Sequence, residues 1–190
     1  MISEPRQPIV TVFGGAHPKP DDPDYALAWS LGRTLAEAGF AIANGGYGGT
    51  MEAASGGARE AGGHTIGIVA GELYSPRANR HTVETIDAGT WFARMRKLID
   101  VASGYAVLPG GTGTLAELAV VWEMVRKKLI PRRPMVAVGP AWRGVLESIE
   151  TNLRGEDPEG LGGIERFDKA VWWAGDVEAA VSLLRREIGA

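Results

Sequence analysis

The sequence predicts an α/β fold in which a mostly parallel β-sheet carries helices on both faces. Short apolar runs of strand length alternate with segments of helical periodicity, and this alternation is typical of βα units. Three of the runs end in turns rich in small residues. With 190 residues and 45% hydrophobic composition, we expect one Rossmann-like, doubly wound domain over residues 1–190.

Three strands and two helices are predicted in the first half of the chain. The strands are apolar runs at residues 9–13, 40–43 and 65–69, and β-branched residues are frequent in the first and third. One helix is expected at residues 24–38, where leucines recur every four positions, and the other at residues 50–61. A glycine follows each helix, as is common at helix ends.

The alternation continues in the second half after an irregular segment. Residues 70–89 show little periodicity and are predicted to form a long loop with at most one short strand, which is either functional or a solvated surface excursion. The elements that follow are a helix at 90–102, a strand at 105–108, a helix from Thr114, a strand at 135–138, a helix at 142–153, a Gly/Pro/acidic connector at 154–163, a strand at 170–173 and a helix at 176–188.

The most informative stretch is Tyr105-Ala-Val-Leu-Pro-Gly-Gly-Thr-Gly-Thr-Leu-Ala-Glu-Leu118. A buried strand is followed by Pro109, by three glycines within four residues and then by a helical pattern. Glycine leaves backbone N–H groups accessible to an anion, and the helix dipole favours negative charge at this point. Thr112 and Thr114 add hydroxyl donors. The stretch therefore predicts a phosphate cradle.

Two other interpretations of this stretch follow from its spacing. Thr114 and Glu117 match a capping box, which would satisfy free amides at a helix start. Gly111-x-Gly113-x-x-Ala116 fits the relaxed dinucleotide fingerprint, which expects an acidic residue about 20 positions later. Residues 131–138 contain no carboxylate, so a nicotinamide cofactor is disfavoured and no cofactor is expected.

Composition and charge exclude several classes of function. A net charge of −3 gives no electrostatic reason to expect nucleic acid as a partner. The chain has no cysteine, and its three histidines show no metal-ligand spacing, so no metal site is expected. No run of about 18 apolar residues and no apolar leader is found, so we expect a cytoplasmic protein without membrane contact. A Gly-x-x-x-x-Gly-Lys-Ser/Thr motif is also lacking, which excludes a P-loop NTPase.

Three glycine turns are expected to meet at one edge of the sheet. They contain Gly14 and Gly15 after the first strand, residues 45–49 after the second, and residues 110–113. In doubly wound sheets, ligands bind at the carboxyl ends of the strands near a topological switch point. The convergence of these turns predicts a nucleotide-like ligand.

The motif Pro109-Gly-Gly-Thr-Gly-Thr-Leu-Ala-Glu117 resembles the Pro-Gly-Gly-x-Gly-Thr-x-x-Glu signature of the "lonely guy" (LOG) phosphoribohydrolases, also labelled lysine decarboxylases. Asn44-Gly-Gly-Tyr-Gly-Gly-Thr-Met-Glu52 resembles the second glycine motif of that family. The resemblance covers residues 9–153 and implies a Rossmann-like homodimer that hydrolyses the N-glycosidic bond of a nucleoside 5′-monophosphate such as AMP or a cytokinin riboside monophosphate. Free base and ribose 5-phosphate would be released.

The resemblance also implies a catalytic arginine upstream of a catalytic glutamate. The family's catalytic arginine lies fifteen residues before the proline of the motif, and this spacing selects Arg94. The Arg96-Lys97 pair resembles the family's usual Arg-Lys dipeptide, so Arg96 is the alternative candidate for the catalytic arginine. Glu117 is the expected catalytic carboxylate, since cleavage of an N-glycoside passes through an oxocarbenium-like sugar. Arginine keeps its charge and is a poor proton donor.

The remaining expectations concern the binding residues and the partner. Substrate and phosphate are expected to contact Gly14, Gly15, Asn44, Gly45, Gly46, Gly48, Gly49, Thr50, Arg96, Lys97, Gly110, Gly111, Thr112, Gly113 and Thr114. An apolar stripe of Leu118, Val121, Trp122 and Val125 predicts a homodimer through the helix that follows the cradle, or packing of that helix on its own sheet. Glu52 replaces a common glycine of the family, as in related molybdenum-cofactor carrier proteins, so a non-catalytic carrier of a phosphorylated ligand is the alternative function.

Overall fold

The computed structural model describes residues 7–73, 75–156 and 171–189. Within these ranges seven parallel strands form one sheet: Ile9–Phe13 (β1), Ala41–Asn44 (β2), Thr65–Val69 (β3), Glu84–Asp87 (β4), Gly104–Val107 (β5), Met135–Val138 (β6) and Val171–Ala174 (β7). Their order in space is β4-β3-β2-β1-β5-β6-β7. From β1 the chain adds β2, β3 and β4 on one side, and it then returns to add β5, β6 and β7 on the other side of β1. The predicted doubly wound α/β fold is confirmed.

Helices cover both faces of this sheet. Those in the described ranges are Pro23–Glu37 (α1), Thr50–Glu60 (α2), Trp91–Val101 (α3), Thr112–Arg126 (α4), Arg143–Glu156 (α5) and Val177–Ile188 (α6). The apolar faces of α1, α2 and α6 pack in one core cluster, and those of α3, α4 and α5 pack in the other. Alternate strand residues enter opposite layers, as in β1, where Val12 joins the first cluster and Phe13 the second. None of the helices in the described ranges has the length and apolar character needed to cross a membrane.

Close packing of α1 against α2 fixes the position of the second glycine turn. A Cβ atom at Gly32 would collide with the backbone of Ala54, and one at Gly57 would collide with the carbonyl of Trp29. Small residues therefore let the two helix backbones approach each other. Because α2 begins at Thr50, this contact holds the turn before it at the carboxyl end of β2.

Some predicted boundaries differ from the structure. The segment at 70–89 contains one short strand in its described part, the edge strand β4, as the prediction allowed; its largely exposed residues lack the apolar run that marks a buried strand. Helix α4 begins at Thr112 rather than Thr114, and α5 continues to Glu156, into the predicted connector. Residues 157–163 of that connector, and the first residue of the strand predicted at 170–173, lie outside the described ranges.

The predicted apolar stripe of α4 covers its own sheet. Leu118 and Val121 are fully buried, and Trp122 is 5% exposed, all within the cluster on that face. Of the two outcomes predicted for the stripe, the structure shows packing of the helix on its own sheet. An amphipathic helix generally buries its apolar side against the core of its own domain. On the outer side of α4, Leu115 and Val120 remain 37% and 36% exposed.

Candidate active site

A cavity of about 330 Å³ lies at the carboxyl ends of β1, β2 and β5, where the sheet changes direction. Its walls come from the three glycine turns, from the first turns of α4 and from one side of α3. The lining residues are Val12, Phe13, Gly14, Gly15, Ala16, His17, Gly45, Tyr47, Met51, Leu73, Trp91, Arg94, Gly111, Thr112, Gly113, Thr114 and Glu117. The structure therefore brings together parts of all three turns.

The glycine turns are joined to each other by hydrogen bonds. The amide of Gly15 donates to Pro109 O over 3.0 Å. The amide and hydroxyl of Thr50 both donate to Gly15 O, over 2.9 Å and 3.0 Å. A Cβ atom at Gly14 would collide with the Thr50 hydroxyl. Thr50, which the sequence predicts as a ligand contact, holds the first turn in place.

The start of α4 opens into the cavity without a side-chain cap. Its N-cap is Gly111, its first turn carries no acidic residue, and among the described residues no side chain caps its first amides. Thr112 and Gly113 line the cavity, and a Cβ atom at Gly111 would meet no atom within 4 Å in the part of the chain described. Amides at a helix start need partners, and the positive end of the dipole attracts anions.

The capping-box interpretation of Thr114 and Glu117 is contradicted by this geometry. A capping box requires the threonine at the N-cap and the glutamate three residues later. Because the helix starts at Thr112, Thr114 is already in the first turn and Glu117 lies one turn further on. Glu117 is thereby directed into the cavity instead of back to the N-cap amide.

Arg94 projects from α3 into the same cavity and is 7% exposed. Its Nε donates to Ile68 O over 2.8 Å, and its guanidinium lies 5.5 Å from the centre of the Tyr47 ring. Its Nη1 is 3.9 Å from Glu117 Oε1. A Cβ atom at Gly45 would collide with the Arg94 guanidinium, so glycine at this position leaves the space that the arginine occupies.

Burial of Glu117 sets its protonation behaviour. Its side chain is 13% exposed, and the loss of solvation raises the pKa of the carboxyl from 4.5 to about 7, while the charge of Arg94 acts in the opposite direction. At 3.9 Å the arginine does not form a close ion pair, which explains why burial dominates. Near neutral pH the carboxyl can both accept and release a proton, as a general acid–base group requires.

Arg96 and Lys97, which the sequence places among the binding residues, are not brought to the cavity. Arg96 is exposed and pairs with Asp100 across one helical turn, with Nε and Oδ2 2.7 Å apart. Lys97 lines a separate groove near the amino ends of the strands. Because successive helical residues are rotated by about 100°, positions two and three after Arg94 face other directions. The structure thus places Arg94 opposite Glu117.

Several predicted contact residues support the cavity without lining it. Asn44 is fully buried; its Nδ2 donates to Met51 O over 3.1 Å and to Ser55 Oγ over 2.9 Å, and its Oδ1 accepts from Gly46 N over 2.8 Å. It therefore holds the second turn to α2. The other predicted contacts in this supporting layer are Gly46, Gly48, Gly49 and Gly110.

The sequence analysis missed four aromatic and apolar residues that line the cavity, Tyr47, Met51, Leu73 and Trp91. The Tyr47 hydroxyl accepts from Ala70 N over 2.9 Å, which fixes the ring under the arginine. An aromatic residue inside a glycine turn was the signal available for Tyr47. Nothing in the local pattern distinguishes Trp91 or Leu73 from ordinary helix and loop residues.

Fold and site define a doubly wound α/β protein with a glycine-lined cavity at its topological switch point, the usual position of a phosphorylated ligand in this architecture. The model of the SLOG cluster4 family matches residues 7–138. The chain belongs to the SLOG cluster4 family. The resemblance to LOG proteins that the sequence motifs indicate is thereby confirmed.

Individual relatives agree with this assignment. A cytokinin riboside 5′-monophosphate phosphoribohydrolase from Mycobacterium marinum is 34% identical over 122 residues, and one from Mycobacterium tuberculosis is 35% identical over 98 residues. These matches cover 63% and 50% of this chain, and 64% and 52% of the two relatives. The chain thus aligns with less than two thirds of the length of either phosphoribohydrolase.

The similar solved structures include two proteins named for the molybdenum cofactor. The molybdenum cofactor binding protein from Rippkaea orientalis has a TM-score of 0.74 and 25% identity, covering 95% of this chain and 97% of that one. The molybdenum cofactor carrier protein from Chlamydomonas reinhardtii has a TM-score of 0.70 and 25% identity, covering 97% and 100%. DNA processing protein A from Streptococcus pneumoniae shares the fold alone, with 16% identity and a TM-score of 0.59.

Proposed function

We propose that this protein hydrolyses the N-glycosidic bond of a nucleoside 5′-monophosphate and releases free base and ribose 5-phosphate. The observation that carries the proposal is the pairing of buried Glu117 with Arg94 next to the uncapped start of α4. The Glu117 carboxylate suits an oxocarbenium-like transition state, Arg94 can orient that carboxylate, and the start of α4 suits a phosphate. The naming of the two mycobacterial relatives supports the same reaction.

The lining of the cavity includes both polar groups and aromatic side chains, which suit the two parts of such a substrate. The 5′-phosphate accepts hydrogen bonds from the amides at Thr112 and Gly113 and from the Thr112 hydroxyl. The base lies toward Tyr47 and Trp91, whose aromatic side chains are part of the cavity lining. This orientation places the ribose between the phosphate and the base, beside Glu117 and Arg94.

In this arrangement water attacks C1′ while the bond from C1′ to the base nitrogen breaks. The electron pair of that bond goes to the base, which takes up a proton. Glu117 orients the water and accepts its proton, and its negative charge stabilises the positive charge that develops on the sugar. Arg94 stays protonated and orients the carboxylate and the ribose. No step requires a cofactor.

We also propose a homodimer, through the outer side of α4 instead of the predicted stripe. Leu115 and Val120 are partly exposed apolar residues of α4, and a second copy that packs on this helix would cover such surface. The proposal rests on the exposure of these two residues and on the dimer that the LOG resemblance implies.

A second function, carriage of a phosphorylated cofactor without turnover, is supported by the molybdenum-cofactor proteins among the similar structures. Those matches cover nearly the whole chain, whereas the phosphoribohydrolase matches cover 63% or less. The cradle at α4 suits either ligand, since both carry phosphate. The two functions differ in whether the Glu117 carboxyl does chemistry.

Incubation with a panel of nucleoside 5′-monophosphates, with released base measured by chromatography, tests the proposal. We expect release of base from at least one of them, and loss of release in Glu117→Gln. The melting temperature should rise more with the monophosphate than with its nucleoside, because only the former engages the start of α4. Equal rises would contradict the phosphate cradle. Stabilisation by monophosphates without any release of base would favour the carrier function.

A further inference from the structure

Contacts from three separate segments hold the guanidinium of Arg94. Its Nε donates to Ile68 O in β3 over 2.8 Å. Its Nη2 lies 3.9 Å from Met51 Sδ in the first turn of α2, and its Cζ lies 5.5 Å from the centre of the Tyr47 ring. These three partners are neutral, so they hold the guanidinium in place without cancelling its charge. The charge therefore acts on the Glu117 carboxylate, whose Oε1 is 3.9 Å from Nη1.

Tyr47 itself is fixed at its backbone and at its hydroxyl group. Asn79 donates its Nδ2 to Tyr47 O over 3.0 Å and its amide to Gly46 O over 2.6 Å. The Tyr47 hydroxyl accepts from Ala70 N over 2.9 Å, and Ala70 O and Ser75 O lie 3.0 Å and 3.2 Å from it as acceptors. These hydrogen bonds keep the ring in one position beside the guanidinium.

The ring of Tyr47 is not part of the hydrophobic core. Neither of the two core clusters found among the described residues includes it, and it lines the candidate active-site cavity. Two roles are therefore open to it. A tyrosine that only anchors the segment after β3 needs its hydroxyl, whereas a tyrosine that supports Arg94 needs its ring. Substitutions that remove one group and keep the other distinguish these roles.

We propose that Tyr47 is a positioning residue, whose ring holds the Arg94 guanidinium at its distance of 3.9 Å from Glu117 and so prevents a close ion pair. This role deepens the proposed function and rests on it. In a close ion pair the arginine would stabilise the charged carboxylate, which would then accept a proton from water less readily. At the longer distance the arginine orients the carboxylate, and the carboxylate remains a base near neutral pH.

Replacement of Tyr47 by leucine tests the role of the ring. The titratable or charged side chains that line the cavity are His17, Tyr47, Arg94 and Glu117. Without the ring, the guanidinium loses one of its neutral partners and moves toward the carboxylate. An opposite charge at closer range lowers the pKa of a carboxyl, so the midpoint of the rise of kcat/KM with pH should fall by about one unit from about 7. The plateau of kcat/KM should fall at least about tenfold.

Two further variants serve as comparison and control. Tyr47→Phe keeps the ring and removes the hydroxyl, so the midpoint should stay close to that of wild type, while the melting temperature falls because Ala70 N loses its partner. Tyr25→Leu makes the leucine substitution in α1, where Tyr25 is 8% exposed and stacks on Trp29 outside the cavity lining. It should lower the melting temperature and leave the midpoint and the kcat/KM of the folded protein nearly unchanged.

Two results would overturn the positioning role. A wild-type midpoint in Tyr47→Leu, with only KM raised, would mean that the ring contacts the base instead of supporting Arg94. An equal fall of the midpoint in Tyr47→Phe and Tyr47→Leu would assign the effect to the segment that the hydroxyl anchors, and not to the ring.

Melting temperatures separate this role from the proposed function, because they need no turnover. Burial of the Glu117 carboxylate costs stability above pH 7, and a closer Arg94 reduces that cost. At pH 8, Glu117→Gln should therefore raise the melting temperature less in the Tyr47→Leu background than in the wild-type background. A smaller rise without any release of base would support the positioning role and overturn the hydrolase. Release of base with equal rises in both backgrounds would overturn the positioning role and leave the hydrolase intact.

Discussion

Replacement of Glu117 by glutamine should stabilise the protein while it removes activity, and the stabilisation should depend on pH. The carboxyl has a pKa of about 7 in the folded protein against an ordinary value of 4.5. Below about pH 4.5 it is protonated in both states and contributes nothing. As the pH rises from 4.5 to 7, the unfolded chain loses the proton first, so ionisation favours unfolding. Glutamine has no such penalty.

The magnitude follows from the two pKa values. Each tenfold change in proton affinity corresponds to about 1.4 kcal/mol, so the penalty approaches about 3 kcal/mol above pH 7 and is below about 1 kcal/mol at pH 5. For a chain of this length, 1 kcal/mol shifts the melting temperature by about 2–4 °C. The melting temperature of Glu117→Gln should therefore be up to about 10 °C above that of wild type at pH 8, and close to that of wild type at pH 5.

Thermal unfolding of wild type, Glu117→Gln and Glu123→Gln at pH 5 and pH 8 provides the assay. Glu123 lies on the same helix but is exposed and pairs with Arg126 and Lys127, so its replacement should show no gain at pH 8. In wild type, kcat/KM should rise with pH through about 7, and Glu117→Gln should lose at least about 100-fold in rate. A difference in melting temperature that stays constant or shrinks as the pH rises would refute the reasoning.

Three other substitutions test the geometry. Gly45→Ala should abolish activity in a folded protein because the new Cβ displaces the Arg94 guanidinium. Gly144→Ala, where a Cβ meets no atom of the described residues within 4 Å, should leave activity unchanged. Equal rates in the two variants, with unchanged circular dichroism, would contradict the contact between Gly45 and Arg94. Arg94→Ala should lower kcat/KM by at least about 100-fold. Arg96→Ala breaks only an exposed ion pair and should change kcat/KM less than threefold. A larger loss in Arg96→Ala than in Arg94→Ala would assign the catalytic role to Arg96. Leu115→Glu should convert the proposed dimer to a monomer by light scattering, and an unchanged mass would place the interface elsewhere.

The sequence predicted the fold and the cradle because both depend on local patterns. Strand-length apolar runs and small-residue turns encode β1, β2 and β5, and the structure places their turns together. Strand β4 was not predicted as a definite element because it is an edge strand with little apolar surface. The start of α4 was assigned two residues late, since Gly111 is a helix N-cap without a side chain to mark it.

The roles of individual residues could be predicted less well, because they depend on contacts between distant segments. Asn44 and Thr50 carry polar groups beside a glycine turn, which suggests ligand contact, yet their partners are Met51, Ser55 and the backbone of Gly15. Which hydrogen bond a buried polar group makes is decided by the three-dimensional packing. The aromatic and apolar residues of the cavity lining likewise come from loops and helices in different parts of the chain.

The proposed catalytic pair lies across the switch point of the sheet. Arg94 donates to the carbonyl of Ile68 in β3, and β3 belongs to the half of the sheet formed by β1 to β4. Glu117 lies on α4, the helix that follows β5 in the other half of the sheet. The two halves are joined where Val10–Phe13 of β1 pair with Gly104–Val107 of β5. Neither half contains both charged groups, so the raised pKa of Glu117 and its approach to Arg94 exist only when the β1–β5 ladder is complete. Activity and the pH-dependent stability difference should therefore be lost together when that ladder opens.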